Sequence, residues 1–328
     1  MKKYDAIVIG DANIDLVIAG CNELPEPGQE VLVQNMTMHV GGGAALFSIA
    51  LAKLGLKLAF NGILGEDGFG QQVRDRFAQY GIDTSFIRGS STNTGISIAI
   101  NPEQDRSFIT YLGSNAELSM KLLDMESVAS ARHVHLTGYR GRQNHGEFME
   151  TVRAVKARGA TTSLDVGWDD TGEWFTGIYE LMGEVDVFFM NEAEAEHYTA
   201  CSDVKAIIAK LSAHSNHFIV KLGSAGAVAT VNGQSKFRSG FNVPVVDTTG
   251  AGDSFNAGYI YGLLTGKETE TCLLYGNACG ALSVTESGGS TGTPDRMALE
   301  RFIAGREGST TDNWENASCI LSGGGQNR

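Results

Sequence analysis

The stretch Asp247-Thr248-Thr249-Gly250-Ala251-Gly252-Asp253 decides the fold of this chain. Residues 241–246 before it have the pattern of a β-strand. After it, apolar residues recur every four positions from Phe255, which predicts a helix that ends at Gly266. A glycine-rich turn between a strand and a helix is where α/β enzymes commonly bind their ligands. The sequence therefore indicates an α/β protein with a ligand site at this turn.

The turn also has the residues that phosphoryl transfer requires. Glycine lets the backbone bend tightly and bring its N–H groups close to a ligand, and those amides, with the positive end of the helix dipole, favour an anion. The amides of the turn, which contains Gly250, Ala251 and Gly252, would hold a transferring phosphoryl group, while Asp253 would accept the proton of the attacking hydroxyl. Because the dipole favours an ionised carboxyl group, we expect Asp253 to be a weak base. The alternative is a structural turn in which Asp253 only caps the helix.

Composition and charge exclude several classes of protein. The chain has 328 residues, 42% of them hydrophobic, which is enough for a sizeable core in one large or two modest domains. Its net charge of −13 argues against binding to nucleic acids or anionic membranes, which need clustered Lys and Arg. No apolar run approaches the ~20 residues of a membrane span. The 5 cysteines are dispersed without a Cys-x-x-Cys pair, which favours a location in the reducing cytoplasm, with no disulfide framework and no zinc site.

Strand and helix patterns alternate along most of the chain. From about residue 133 the alternation predicts a parallel sheet covered by helices. Two regions interrupt it: residues 12–40, and residues 94–114, where two strand-like runs flank a polar turn at 101–105. We expect these regions to form a small β-layer that projects from the main sheet. The segment 306–328 has low hydrophobicity and no periodicity, so it is predicted to be a disordered tail.

Two further motifs place polar side chains after predicted strands. Asn13 and Asp15 alternate with apolar residues and therefore share one face, where an amide and a carboxylate can hold several sugar hydroxyls. The alternative there is an Asx-type turn with a solvated Asp. Asn191 and Glu194 follow the apolar strand 185–190, and their spacing alone is typical of a helix cap and an acid in the first helical turn.

Several of these motifs together resemble the PfkB (ribokinase-like) carbohydrate kinases, over roughly residues 4–305. The stretch 247–253 is similar to the family's second motif at all seven positions. Gly41-Gly42-Gly43 and the apolar helix up to Gly55 resemble its first motif. They depart from it at Leu46, where many relatives have Asn, and at Gly43, where ribokinases often have Lys. Both departures remove polar contacts to a sugar and argue against a ribose-like acceptor.

The resemblance implies a three-layer ribokinase-like α/β fold: a mostly parallel sheet between two helix layers, with a small discontinuous β-lid. The kinase domain would span residues 1–305, with the lid formed by about 12–40 and 94–114. The resemblance also implies which residues bind the sugar, ATP and the cations. Those for the sugar are Asn13, Asp15, Gly41, Gly42, Gly43 and Asn115. Those for ATP are Asn191, Lys221, Gly223, Gly226, Thr248 and Asn277. Glu194 would hold Mg²⁺ through water, and Asp247 and Thr249 would lie near a monovalent cation such as K⁺.

The implied reaction is ATP-dependent phosphorylation of a hydroxyl on a small sugar, as in fructokinase or ribokinase, with Asp253 as the base. A nucleoside kinase of the same fold and a non-catalytic sugar sensor are the alternatives. A dinucleotide-dependent oxidoreductase would need a G-x-G-x-x-G fingerprint after the first strand, where Ala12 and Asp15 replace two of the glycines. We expect a small-sugar partner, no nucleic acid or membrane, and leave open a homodimer formed through the β-lid.

Overall fold

A sheet lies between two layers of helices in the computed structural model, which describes residues 2–19, 26–101, 107–122 and 125–306. The strands are β1 Tyr4–Ile9, β2 Asn13–Ala19, β3 Asn35–Gly41, β4 Leu58–Asn61, β5 Ile63–Gly65, β6 Arg88–Ser90, β7 Gly95–Asn101, β8 Ser107–Tyr111, β9 Ala131–Leu136, β10 Thr161–Asp165, β11 Val187–Asn191, β12 His217–Lys221, β13 Gly226–Val231 and β14 Gln234–Ser239. The α-helices are α1 Gly43–Lys53, α2 Gly68–Gln79, α3 Met125–Ala129, α4 His145–Ala157, α5 Ile178–Glu184, α6 Glu192–Thr199, α7 Val204–Leu211, α8 Ala251–Leu264, α9 Thr269–Ser283 and α10 Arg296–Ala304.

The main sheet has eight strands in the order β14-β13-β12-β11-β10-β9-β1-β4. The pairs from β4 to β12 are parallel, and β13 and β14 continue the edge as antiparallel strands. Parallel strands need crossover connections, and the helices that supply them cover both faces of the sheet. The parallel sheet expected from the strand–helix alternation is therefore confirmed.

The two faces of the sheet bury separate apolar clusters. Successive side chains of a strand point to opposite faces. In β1, Ile7 and Ile9 accordingly join the cluster formed with α4, α5, α6 and α7, while Ala6 and Val8 join the one formed with α1, α2, α8 and α9. Helices α1 and α8 also pack against each other. This contact fixes the relative position of the two glycine-rich turns that begin them.

A second, four-stranded sheet has the order β3-β2-β7-β8. Its strands come from the two regions that interrupt the alternation of the main fold. β7 pairs antiparallel with β8, as the hairpin prediction required, and β2 joins the two halves by pairing with both β3 and β7. The predicted turn at 101–105 lies almost entirely outside the described residues, as does the predicted tail at 306–328.

One predicted strand is wrong. Residues 241–246 make no strand pairing within the part of the chain that the structure describes. Pro244 has no N–H to donate to a neighbouring strand. The amides of Val246 and Asp247 donate instead to the carbonyl of Val284, at 2.7 and 3.2 Å, where α9 ends. The turn at 247–253 therefore connects an irregular segment, not a strand, to α8. Among the described helices, none is long and apolar enough to span a membrane.

Candidate active site

Polar residues occupy the carboxyl ends of five neighbouring parallel strands. Asp165, Asn191 and Lys221 are the last residues of β10, β11 and β12. Thr137 follows β9 directly, and Asp11 lies two residues beyond β1. The carboxyl edge of an open parallel sheet is where ligands bind in this class of fold. The side chains described below converge on this edge.

The turn that begins α8 has the conformation that its glycines permit. Gly250, the residue before the helix, is in the left-handed region at φ 71°. A methyl group there would lie 2.6 Å from the carbonyl oxygen of Gly289, so no other residue fits. The chain can therefore turn into α8 in close contact with the glycine-rich loop at 287–292.

The amides of this turn do not all remain available to a ligand. Ala251 N–H donates to the carbonyl of Thr248 at 3.3 Å. Within the described residues, the amides of Gly250, Gly252 and Asp253 make no hydrogen bond, and the last two lie in the first turn of α8, where open amides are usual. Of the amides in the 250–253 turn, only that of Ala251 is used within the protein, so the amides of Gly250, Gly252 and Asp253 are left for the expected anion hole.

Asp253 lies between the two glycine-rich turns. A methyl group placed on Gly43 would be 3.2 Å from Asp253 Oδ1, so the carboxyl group faces the start of α1. Burial raises the pKa of Asp253 to about 8, and the nearby acids Asp165, Asp11 and Glu194 raise it while Lys221 opposes them. The expectation of a weak base was therefore wrong. Desolvation and repulsion between like charges outweigh the helix dipole, so the structure favours a proton acceptor stronger than an ordinary carboxylate.

Lys221 is the cation at the centre of these acids. Its ammonium group lies 2.9 Å from Asp165 Oδ2, and both side chains are largely buried. The same oxygen accepts a short hydrogen bond from Asn256 Nδ2. Although burial lowers the pKa of Lys221, attraction to Asp165, Glu194 and Asp253 raises it overall, so the side chain stays charged. Lys221 thereby balances part of the negative charge of the site.

Asn191 and Glu194 form a capping box at the start of α6. Asn191 Oδ1 accepts from the amide of Glu194, and Glu194 Oε2 accepts from the amide of Asn191, both at 2.8 Å. Burial, followed by repulsion from Asp165, raises the pKa of Glu194 to about 7. The capping interpretation describes the local structure correctly. The raised pKa shows that the same acid belongs to the charged cluster at the strand ends.

The residues expected to bind a sugar are close together on the other side of Asp253. Asn13 Nδ2 donates to Asp15 Oδ1 at 2.7 Å, which agrees with their predicted common face. Asn115 Oδ1 accepts from the amide of Ala12 at 3.2 Å. Burial raises the pKa of Asp15 to about 6. This cluster presents amide and carboxyl groups but no basic side chain.

The glycines Gly41 and Gly42 allow that cluster to pack against the backbone. A side chain on Gly41 would collide with the carboxyl group of Asp15. Gly42 is in the left-handed region at φ 93°, and a methyl group there would lie 2.8 Å from Asn13 Oδ1. Close approach of backbone and side chains thus explains both glycines.

Asp11 caps the start of α1. Asp11 Oδ2 accepts from the amide of Gly43 at 2.9 Å, and Asp11 Oδ1 accepts from the amide of Ala44 at 3.3 Å and from the hydroxyl of Thr137 at 2.9 Å. The first turn of α1 is therefore neutralised from within the protein. Although it begins like the α8 turn, it does not offer the same open amides.

Leu46 packs against the α8 turn. Its side chain is buried against Gly250 and Gly289, where added methyl groups would lie 3.0 and 2.8 Å from Cδ1. Leu46 thus fills space between the α8 turn and the 287–292 loop. With Leu in place of Asn, this position offers an apolar contact to the α8 turn and no polar group.

Asp247 and the 287–292 loop hold each other in place. Asp247 is buried, and its carboxyl oxygens accept from the amides of Thr249 and Gly288 at 2.8 and 2.9 Å. A side chain on Gly288 would collide with the ring of His39 on β3, so this loop also contacts the smaller sheet.

The residues expected to bind the nucleotide lie at the β12–β13 edge of the site. Gly223 is in the left-handed region at φ 58°, in the turn after Lys221. A side chain on Gly226 would collide with the carbonyl of Arg238. Asn277 Nδ2 donates to that carbonyl and to the carbonyl of Ser239, at 3.0 and 3.1 Å. Contacts within the protein are enough to explain why Gly and Asn occupy positions 226 and 277. Thr248 is exposed beside the α8 turn.

Three residues of the cluster were not singled out from the sequence: Asp11, Thr137 and Asn256. A sequence signal exists for each of them. Asp11 and Thr137 follow apolar strands directly or nearly so, and Asn256 lies three positions after Asp253, on the same face of a helix.

A parallel sheet with this arrangement of helices and charged strand ends is the ribokinase-type α/β fold. The solved structure of Arabidopsis thaliana ribokinase complexed with ribose and ATP matches with a TM-score of 0.80 and 26% identity, covering 92% of this chain and 98% of that one. Haemophilus influenzae ribokinase is 29% identical over 304 residues, 90% of this chain and 97% of that protein. Klebsiella pneumoniae fructokinase is 26% identical over 313 residues, 90% and 98% of the two chains.

The chain belongs to the pfkB family of carbohydrate kinases, whose family model matches residues 3–296. It is therefore a carbohydrate kinase, and the predicted family, fold class and enzyme class are confirmed.

Proposed function

We propose that this kinase transfers the γ-phosphoryl group of ATP to a hydroxyl of a small, uncharged sugar, with Asp253 as the base. The choice of ATP as phosphoryl donor is supported by a similar protein, the Arabidopsis thaliana ribokinase, which was solved with ribose and ATP. One observation carries the proposal: the Asp253 carboxyl group lies at a turn with open amides and faces the start of α1, next to the Asn13–Asp15 cluster.

The reaction needs one proton transfer and one exchange of bonds at phosphorus. The sugar hydroxyl gives its proton to Asp253 as its oxygen bonds to the γ-phosphorus. The bond between that phosphorus and the bridging oxygen breaks, and ADP leaves with the electron pair. The amides of Gly252 and Asp253 stabilise the charge on the transferring oxygens. Thr248, Gly223, Gly226, Asn191 and Asn277 would border the nucleotide.

The residues also fit a magnesium ion held mainly by the substrate. In the described ranges, no group of three or more His, Cys, Asp or Glu side chains is arranged to bind a metal directly. Mg²⁺ keeps several waters and commonly uses one or two carboxylates with substrate phosphates. Glu194 supplies such a carboxylate through water. The ion would neutralise phosphate charge. A monovalent cation such as K⁺ would lie near the carbonyls of Asp247 and Thr249.

The charge of the acceptor pocket favours a neutral sugar. Asp15 lies in it and Asp11 adds negative charge close by, so an anionic acceptor would be repelled. Arg142, a basic residue that follows β9, is paired with Glu173 at 2.6 Å. A sugar acid would therefore depend on Arg140 of the same loop.

We further propose that the smaller sheet acts as a lid over this pocket, since it carries Asn13 and Asp15 and contacts the 287–292 loop through His39. The kinase domain would comprise residues 1–305. One face of the lid also exposes Met36, Met38, Ile109 and Tyr111, which supports a homodimer formed through it. Sedimentation of the protein and of an Ile109→Lys variant would test this: a dimer that becomes a monomer is expected, and a wild-type monomer would contradict it.

An acceptor panel tests the function. ADP release from MgATP is measured with D-fructose, D-ribose, 2-keto-3-deoxygluconate and adenosine. We expect turnover with at least one neutral sugar and little with the sugar acid or adenosine. Preference for adenosine would make the protein a nucleoside kinase. Sugar binding without ADP release from any compound would indicate a sensor.

A further inference from the structure

Lys221 lies next to Gly252 of the proposed anion hole. It is the last residue of β12, and its ammonium group would be 3.3 Å from a methyl group placed on Gly252. Gly252 provides one of the open amides of the α8 turn. An oxygen bound to that amide would therefore lie close to a positive charge as well as to the amide dipole.

Two side chains fix the direction of this lysine. Asp165 accepts from the ammonium group at 2.9 Å and also accepts the hydrogen bond of Asn256. Asp165 thus joins β12 to α8 through one oxygen. The acids Glu194 and Asp253 also attract Lys221, from α6 and α8. Lys221 cannot swing toward solvent without leaving these acids unpaired in a largely buried site.

Asn256 has an arrangement that stability alone does not explain. Its side chain is fully buried, and in the described part of the chain its Oδ1 makes no hydrogen bond. A buried polar atom without a partner costs free energy. A leucine of similar size would avoid that cost. Among the described residues, the side chain of Asn256 donates to Asp165, and this hydrogen bond orients Asp165.

We infer that Lys221 is a catalytic residue that contacts the transferring phosphoryl group beside Gly252, and that Asp165 and Asn256 are positioning residues for it. The inference rests on the proposed function and adds to it. Lys221 makes no covalent bond and keeps all its protons during the reaction. Its charge is placed where negative charge collects in the transition state, so it increases turnover more than it increases ATP affinity.

Steady-state kinetics with the acceptor identified by the panel test this role. For Lys221→Met we expect kcat to fall about 100-fold, the usual effect of losing one charge-stabilising donor. The KM for ATP should change less than about threefold. Lys156→Met is the matched control, because Lys156 also pairs with an acid, Asp186, but at the opposite end of the sheet. Its kcat should be unchanged.

Adding an amine to Lys221→Ala tests whether the loss of kcat comes from the missing charge or from a change in structure. Methylammonium should raise kcat of Lys221→Ala about tenfold, whereas tetramethylammonium, which has no N–H donor, should not. If Lys221→Met does not fold, the Asp165→Asn/Lys221→Met double variant removes both charges and takes its place. Near-normal kcat in the folded variant, or a loss seen only in the KM for ATP, would overturn the inference.

Asn256→Leu distinguishes a positioning role from a structural one. We expect it to unfold at the same or a higher temperature while its kcat falls about tenfold. Parallel losses of stability and activity would mean that Asn256 is only structural. If the wild-type protein phosphorylates no compound of the panel, the proposed function fails before any of these variants is made, so the two failures are distinguishable.

Discussion

Two glycine-rich turns begin the two helices beside Asp253, and they differ in what binds their amides. At the start of α1, the amides of Gly43 and Ala44 donate to Asp11. At the start of α8, the amides of Gly252 and Asp253 have no partner among the described residues. Both helix N-termini carry the same partial positive charge. Only the α8 turn has open amides through which this charge can stabilise a ligand.

This difference assigns separate roles to similar sequences. The α1 turn is neutralised by an acid of the protein, so it can lie against an uncharged acceptor. The α8 turn is left open, so it can stabilise a phosphoryl group. Asp253 lies between them, and in the proposed mechanism it contacts both substrates. The comparison predicts that changes at the α8 turn reduce turnover, whereas changes at the α1 turn affect acceptor binding or stability.

The largest effect is expected for Asp253→Asn. Asparagine cannot accept the hydroxyl proton, so kcat should fall by about 10²–10⁴, the usual contribution of a positioned base. ATP affinity, measured by calorimetry, should change little. The control is Asp295→Asn, which alters the cap of α10 away from the site. Near-normal turnover in Asp253→Asn would remove the base from the mechanism.

Alanine substitutions in the two turns should have different kinetic effects. In Gly252→Ala the methyl group lies in the anion hole, 3.3 Å from Lys221 Nζ, so we expect kcat to fall about 10- to 100-fold. In Gly43→Ala the methyl group lies 3.2 Å from Asp253 Oδ1 on the acceptor side, and the KM for the acceptor should rise more than kcat falls.

Gly68→Ala is the matched control for both alanine variants. Gly68 is also the first residue of a helix, and a methyl group there meets no atom within 4 Å. Its kinetics should equal those of the wild type. The same change in kcat for all three variants would mean that the turns are not distinct.

Local signals predicted the fold, whereas the electrostatics of the site depend on distant contacts. Glycines before apolar helices and alternating strand patterns are visible in short windows of sequence, and both were found. The cap of α1 was not, because Asp11 precedes Gly43 by 32 residues. The strand expected at 241–246 failed for a similar reason: its amides donate to the end of α9, which no local pattern reveals.

The basicity of Asp253 was mispredicted because the dipole of its own helix was the only local influence. Its raised pKa comes from burial and from acids on three other segments, Asp165, Asp11 and Glu194. Similarly, the contacts of Leu46 with Gly250 and Gly289 join segments that are far apart in sequence. Residue type and spacing indicate where a site lies. The charge state and orientation of its members require the assembled structure.

Removing the cap of α1 should have a moderate effect. Asp11→Asn weakens the hydrogen bonds to Gly43, Ala44 and Thr137, so the free energy of unfolding should fall by about 1 kcal/mol. Turnover should change less than about tenfold. Urea unfolding and steady-state kinetics measure the two quantities. A loss of kcat as large as that of Asp253→Asn would show that Asp11, too, takes part in the chemistry.

The smallest effect concerns the pH dependence of stability. Burial and the neighbouring acids raise the pKa of Asp253 to about 8, whereas an ordinary Asp has a pKa near 3.8. Between these values the folded state binds more protons than the unfolded state, so this group's contribution to stability falls as pH rises through that window. Asp253→Asn has no such proton to lose. Its stability relative to the wild type should therefore increase between pH 5.5 and pH 8.5, by about 1 kcal/mol after screening by solvent.

Asp67→Asn is the control, because its stability relative to the wild type should not change over this pH range. Partial burial opposes ionisation of Asp67, but hydrogen bonds from Gly70 and Thr94 lower its pKa overall. Its contribution to stability is therefore present above the ordinary pKa and is lost as pH falls through the lowered one. At both pH 5.5 and pH 8.5 the wild-type carboxylate is ionised, so urea unfolding should show Asp67→Asn less stable than the wild type by a constant amount. If Asp253→Asn also gave a constant difference at the two pH values, Asp253 would not hold a proton in the folded state, and the acids around it would not control its charge.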